Sequence, residues 1–445
     1  MTPKTPIPAF RTFLLIWFGQ LISLTGTGLT GFALGVWVYQ RTGSVTQFSL
    51  IALSTTLPGI LFSPLAGALV DRWDRRWAMF IADAGAALCT LSMCVLLYFG
   101  RLQVWEIYIL MAISSTVTAF QWPAYSAATT LLVPKEHLGR ASGMVQIAEA
   151  VAQIGAPAIA GAMMGIFPIF TILLVDFFTY VFALFTLLIT RFPKPEISAE
   201  NRARQGSLLR EAAFGWTYIV ARPGLLGLLL YFASINFVTG FAQVLFTPLV
   251  LGITTPAVLG LIWSVGGIGF LVGSLVMSVW GGPRQRVLGI LGFGLLEGLM
   301  LLAIGLPPRV IFLGAAVFLF FLAEPVIGGC SQATWQVKTP PDVQGRVFAV
   351  RRMIAWSAMP LAFLLAGPLA DRVFTPLLVQ GGPLADSIGR ILGVGPGRGI
   401  ALFFVIMGLL VMAATAVGFL HPRLRRLEVE LPDAVASRSP APAAE

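Results

Sequence analysis

The chain has 445 residues, 57% of them apolar or aromatic and 11% charged, against roughly 25% charged in a soluble globular protein. That composition excludes a soluble enzyme, and it excludes a disordered chain, which needs low hydrophobicity and high charge. Three cysteines build no disulfide framework, and the net charge of +10 takes its meaning from where the bases sit.

Crossing about 30 Å of hydrocarbon takes around 20 apolar residues in a helix. Twelve such runs follow one another, at 10–39, 46–70, 77–99, 104–132, 141–166, 169–190, 224–251, 256–280, 287–306, 310–336, 349–370 and 398–420. The first follows Lys4 and Arg11 but is too long for a signal-peptide core, so it is expected as a retained span. An even number of spans puts both termini on one side of the membrane. The tails and the connections on their side hold 23 of the 29 basic residues; the other six are Arg41, Arg101, Arg309, Arg372, Arg390 and Arg398. Bases accumulate on the cytoplasmic side. The expectation is therefore a multi-pass protein of the cell inner (plasma) membrane with both termini cytoplasmic. No basic soluble domain is left for nucleic acid to bind.

The longest internal polar stretch, 191–223, divides six spans from six. The expected organisation is an N-terminal bundle (1–190), a cytoplasmic linker with an amphipathic helix (191–223), a C-terminal bundle (224–420) and a disordered cytoplasmic tail (421–445). In the linker Leu208, Leu209, Ala212, Trp216 and Ile219 recur at helical spacing, the pattern of a helix lying on a membrane surface. A trace of repetition joins the halves: Ser126-x-Ala128-Thr129 precedes Gly139-Arg140, and Ser331-x-Ala333-Thr334 precedes Gly345-Arg346. Parallel-repeat transporters carry such internal similarity.

Polar side chains inside a span turn toward the bundle interior or an aqueous cavity. Span 1 carries Gln20, Ser23, Thr27 and Thr30; span 4 carries Thr118, Gln121, Trp122 and Tyr125; span 7 carries Asn236, Thr239 and Gln243; span 10 carries Glu324, Ser331, Gln332 and Trp335. Hydroxyls and amides also glue helices together. Their coincidence on every third span points instead to a central cavity, with Trp122, Tyr125 and Trp335 able to stack on an amphiphile. The stripes contain no base, which favours neutral or cationic amphiphiles as cargo.

Five carboxylates lie inside spans: Asp83, Glu149, Asp176, Glu297 and Glu324. Intramembrane acids are functional candidates by default. Glu149, Glu324 and Asp176 are the proton-coupling candidates, whereas Asp83 is expected to pair with nearby arginines. His137 and His421 have no ligand partners, and Cys89, Cys94 and Cys330 lack metal spacing. No metal or cofactor is expected, and no phosphate-binding glycine loop appears, so a proton gradient is the expected energy source.

Between spans 2 and 3 stands Gly67-Ala-Leu-Val-Asp71-Arg72-Trp73-Asp74-Arg75-Arg76. With its twelve spans the chain resembles the major facilitator superfamily in this loop, where an acid and basic residues form a charge network that holds one conformation. Asp74 replaces the usual glycine. Span 5 contains Gly155-Ala-Pro157 and Gly161, similar to the superfamily's antiporter motif, with Ala156 and Ala160 in place of glycines. The stretch from Trp335 through Gly345-Arg346 to Arg352 looks like the branch of macrolide-efflux and siderophore-export proteins. Span 4 lacks the arginine that many proton-coupled exporters of the superfamily carry. The resemblance implies an all-α membrane protein of two six-helix pseudo-repeat bundles. It also implies a monomeric, proton-coupled exporter of amphiphilic small molecules such as a macrolide-like drug, a siderophore or a peptide natural product. The alternatives are a non-transporting sensor or scaffold and a polytopic lipid-modifying enzyme. The enzyme would need clustered nucleophiles, which the chain does not show.

Overall fold

In the computed structural model the described residues are 7–70, 73–133, 138–190, 208–306, 309–340 and 343–434. Among them the secondary structure is helical, without strands. Twelve helices are long and apolar enough to cross a membrane: Arg11–Thr42, Val45–Ser63, Arg75–Tyr98, Val104–Thr129, Ile147–Met164, Ile169–Ile189, Pro223–Leu251, Pro256–Trp280, Arg286–Ile304, Val310–Lys338, Arg346–Leu377 and Arg398–Leu420. They are spans 1 to 12, each overlapping its expected run, with the widest differences at the end of span 2, the start of span 5 and the end of span 11.

Local chemistry explains where these helices start and bend. Asp74 caps span 3, its Oδ1 accepting from the Arg76 backbone N–H at 2.9 Å, which satisfies one of the free donors of the first turn. Span 4 consists of two helices, Val104–Thr118 and Gln121–Leu132. Pro123 lacks an N–H and crowds the carbonyl four residues back, at Ala119, and the Thr118 hydroxyl donates to the Ser114 and Ser115 carbonyls. Both features loosen the ladder at the break. Span 11 relaxes into a π-helical turn, Ala370–Phe374, just after Pro368.

By packing, the chain falls into two compact units, one of residues 1–197, 243–267 and 363–400, the other of 198–242, 268–362 and 401–445. The first unit thus contains spans 1 to 6 and also the ends of spans 7, 8 and 11 that lie away from the termini. Within it, Asp371 of span 11 accepts from the backbone N–H groups of Val45 and Thr46 at 3.2 and 2.9 Å. The Ser44 and Thr46 hydroxyls donate to it at 2.9 and 2.8 Å. A carboxylate on the positive end of a helix is favourably placed, so Asp371 fastens span 11 to the start of span 2. Span 5 meets span 8 just as closely: a Cβ on Gly161 would stand 2.5 Å from the Pro256 carbonyl oxygen.

Apolar clusters fill the first unit toward both membrane faces. Phe13, Ile16, Met79 and Leu187 belong to one cluster, and Leu34, Val38, Ile107 and Leu173 to another. Along span 1 these positions flank residues 20–27, so the polar stretch falls between two dry layers.

In the second unit the linker helix, Leu208–Val220, packs Gly215 on the backbone of Arg346, with the Arg346 guanidinium 5.5 Å over the Phe214 ring. The segment expected as a tail without structure contains two short helices, Pro422–Arg425 and Leu427–Glu430. Lys338, 4% exposed, holds them by donating to the Glu428 carbonyl at 2.8 Å, the Leu431 carbonyl, and Asp433 at 2.8 Å.

Candidate functional site: a polar cavity among spans 1, 3, 4, 5 and 6

Gln20, Ser23 and Thr27 lie three and four residues apart on span 1 and so share one helix face. Thr118, Gln121, Trp122 and Tyr125 do the same on span 4, where the break at Pro123 turns the second segment. These seven residues line one cavity of about 270 Å³, together with Glu149 of span 5, Asp83 of span 3 and Tyr180 of span 6. Of the stripe residues predicted on spans 1 and 4, all but Thr30 line it. Asp83 and Tyr180 are the two that periodicity did not single out.

The cavity has a hydrogen-bonded spine. Gln121 donates through Nε2 to Gln20 Oε1 at 2.7 Å, and Gln20 donates through its own Nε2 to Asp83 Oδ2 at 3.0 Å. Gln20 and Asp83 are 4% and 3% exposed. Among the described residues the expected pairing of Asp83 with an arginine is not found, and Asp83 accepts instead from an amide of span 1. Arg76 spends its guanidinium elsewhere, donating to the Leu187 and Leu188 carbonyls, each at 2.7 Å. The loop is thereby tied to the end of span 6. Asp71 and Arg72 lie outside the described residues. Of Gly67, Gly139, Arg140 and Gly345 only the helical backbone is described.

Two polar atoms of the lining, Gln121 Oε1 and the Tyr125 hydroxyl, are buried without a hydrogen-bond partner. Leaving such groups unpaired costs about 1–3 kcal/mol each. Across the cavity Thr27 and Tyr180 bond through their hydroxyls at 2.8 Å. Among the described residues no Lys, Arg or His lines it, and its two carboxylates are Asp83 and Glu149. Aromatic faces of Trp122, Tyr125 and Tyr180 surround the space.

Asp176 sits apart from the cavity lining. It is 1% exposed and accepts from the Thr90 hydroxyl at 3.3 Å and from Thr179 at 3.5 Å, and Gly26 of span 1 packs on it so closely that a Cβ there would stand 2.7 Å from Oδ1. It joins spans 1, 3 and 6.

The predicted stripes of the later spans find different partners. Asn236 donates to the Ala355 carbonyl at 2.9 Å, and Thr239 bonds back to Ile235 at 3.0 Å. Gln243 belongs to the first unit. On span 10 the expectation of a stripe without a base is corrected. Arg351 of span 11 donates to Gln332 Oε1 at 3.1 Å and to the Ser331 hydroxyl at 3.0 Å. Its guanidinium lies 5.1 Å over the fully buried Trp335 ring. Trp335 is thus covered by Arg351 and buried, which leaves it no open face for cargo. Glu324 is exposed and lies within electrostatic range of buried Glu297. Of the antiporter-like residues, Gly161 makes the close approach to span 8, Pro157 sits inside its helix, and Gly155 has open space where a side chain would stand.

A twelve-span helical protein with a polar cavity at the depth of the hydrocarbon core has the build of a membrane transporter. The model of the Major Facilitator Superfamily matches residues 16–364, and the chain belongs to that family. Macrolide efflux protein A of Streptococcus pyogenes is 30% identical over 370 residues, 81% of this chain and 90% of that protein. Multidrug efflux pump Tap of Mycolicibacterium fortuitum is 29% identical over 374 residues, 80% and 89% of the two chains. Among solved structures, a bacterial homolog of the human lysosomal transporter Spinster, inward-facing and unoccupied, aligns with a TM-score of 0.73 at 14% identity, covering 98% of this chain and all of the other. The nucleoside transporter NupG gives 0.71 at 11% identity, covering 92% of this chain and all of the other. The family and these relatives are transporters, and the chain groups with them.

Proposed function

We propose that the chain is a proton-coupled exporter of neutral or cationic amphiphilic small molecules, working by alternating access in the cell membrane with both termini cytoplasmic. The observation that carries it is the cavity of the first six spans: two carboxylates with no base, three aromatic faces and two buried polar atoms awaiting a partner. An ammonium group in the cavity gives N–H donors to Asp83 and to Gln121 Oε1, and its apolar body covers the rings. Removing an amine from water demands such fixed partners, since an unpaired charge in a low dielectric is costly. The names of the efflux relatives agree with export of a small organic molecule.

Glu149 and Asp83 share the cavity, so proton loading at either changes the charge that a cationic cargo meets. Loading from the acidic side and unloading on the other gives the two states different affinities, which a directed cycle requires. Glu324 is the corresponding candidate on span 10. The test is binding to the purified full chain of a lipophilic amine and of its uncharged isostere. The amine binds the tighter of the two, and Asp83→Asn removes that preference while leaving the isostere unchanged. Equal binding of the amine by the Asp83→Asn variant contradicts the assignment.

A further inference from the structure

A stripe on span 9 is left uncovered by the rest of its unit. Leu288, Gly292, Phe293 and Leu296 recur at helical spacing, so they share a face, and with Trp280 and Pro283 they line a groove of about 470 Å³. Apart from Gln285 at one end the lining is apolar. From Gln285 to Leu296 the helix rises about 17 Å, and half of the hydrocarbon core is about 15 Å. The groove is therefore one leaflet deep. It begins at the end of span 9 that lies on the side of the termini.

Gly292 opens it: a Cβ there would meet nothing within 4 Å. An open apolar groove along one helix and within one leaflet offers a hydrocarbon chain a bed of matching length.

The mouth is basic. Gly281 and Gly282, at φ 75° and 85°, turn the chain sharply, so that Arg284 directly follows the groove residue Pro283. Arg284 is exposed, and among the described residues it has no carboxylate within 4 Å. Arg286 starts span 9. The acid beside it, Glu428, accepts from the Arg286 backbone N–H at 3.1 Å and offsets one of the arginine charges here. Arg423, Arg425 and Arg426 are exposed on the same tail segment. Trp280 stands at the end of span 8, half exposed at 52%, where tryptophan settles at headgroup depth. Guanidinium groups bind phosphate through paired N–H donors.

We propose that this groove is a binding site for an anionic phospholipid, with one acyl chain laid along span 9 and the phosphate held by Arg284 and Arg286. The site lies outside the transport cavity and does not depend on the cargo.

Native mass spectrometry of the purified full chain, offered phosphatidylglycerol and phosphatidylcholine of identical acyl chains, tests it. For the first lipid retained, phosphatidylglycerol is preferred by about fivefold for each guanidinium engaged. Arg284→Gln combined with Arg286→Gln brings the two lipids level, and Gly292→Phe lowers retention of both. Equal retention of the two lipids by the unaltered chain overturns the proposal, and so does a Gly292→Phe variant that keeps phosphatidylglycerol as the unaltered chain does. Should Gly292→Phe fail to fold in a thermal melt, Gly292→Leu occupies the same open space with a smaller side chain and is read in the same way.

Discussion

A carboxylate surrounded by hydrocarbon keeps its charge only where fixed donors or a cation replace lost water. Asp83 has the Gln20 amide and no cation among the described residues. Because Gln20 turns its NH2 toward Asp83, its carbonyl accepts from Gln121, and the carbonyl of Gln121 is left buried and unpaired. One acid thus orients two amides in series. Replacing Gln20 by Leu removes the middle of that series and takes from buried Asp83 one of its amide donors; a loss of about 1–3 kcal/mol is expected, read as a lowered melting temperature in detergent. The stripes on spans 1 and 4 were legible because their residues repeat every three or four positions. Asp83 and Tyr180 were not, since spans 3 and 6 are mostly apolar and Asp83 and Asp176 stood out there only as single acids. The bond that defines Asp83 comes from 63 residues away. Arg351 was hidden for another reason: five residues inside its span, it counts equally well as a flanking base until the fold lays it on Trp335.

Helix ends and helix crossings carry the next level of organisation. Gly161 lets span 5 approach the start of span 8, and a side chain there has only backbone to meet. Gly161→Leu therefore forces the two helices apart and slows any motion that slides them, with transport falling at least tenfold while the amount of protein in the membrane is kept. A variant that transports normally contradicts that role. At the start of span 2, Asp371 accepts four hydrogen bonds. Asp371→Asn keeps the shape but removes the charge, and about 1–2 kcal/mol of stability is expected to go with it, again read from the melting temperature. The spacing of glycines in span 5 announced close packing, but the element against which it packs is 95 residues further on (Pro256 against Gly161). Sequence periodicity says which face of a helix is buried, never what lies against it. The short tail helices escaped for a similar reason: four-residue helices have no period, and what holds them is Lys338.

Across the chain the twelve spans were the most legible feature, because a bilayer imposes one length and one composition on every helix that crosses it. The same bilayer sorts the bases, and the division of 29 into 23 and six predicts where the ends lie. A single cysteine introduced at Ser437, in a chain whose three native cysteines are replaced, should react with a membrane-impermeant maleimide in everted vesicles but not in intact cells. Labelling in intact cells contradicts a cytoplasmic tail. The cycle itself needs a gradient, a cavity charge that the gradient can change, and a cargo that responds to that charge. Uptake of a lipophilic quaternary amine, which has no neutral form to diffuse in and be trapped by protonation, into everted vesicles with an acidic interior tests all three together. The unaltered chain should accumulate the amine only while the pH gradient stands, and both Asp83→Asn and Glu149→Gln should reduce accumulation at least tenfold. Accumulation that survives collapse of the gradient, or that is unchanged in both variants, would contradict proton-coupled export through this cavity.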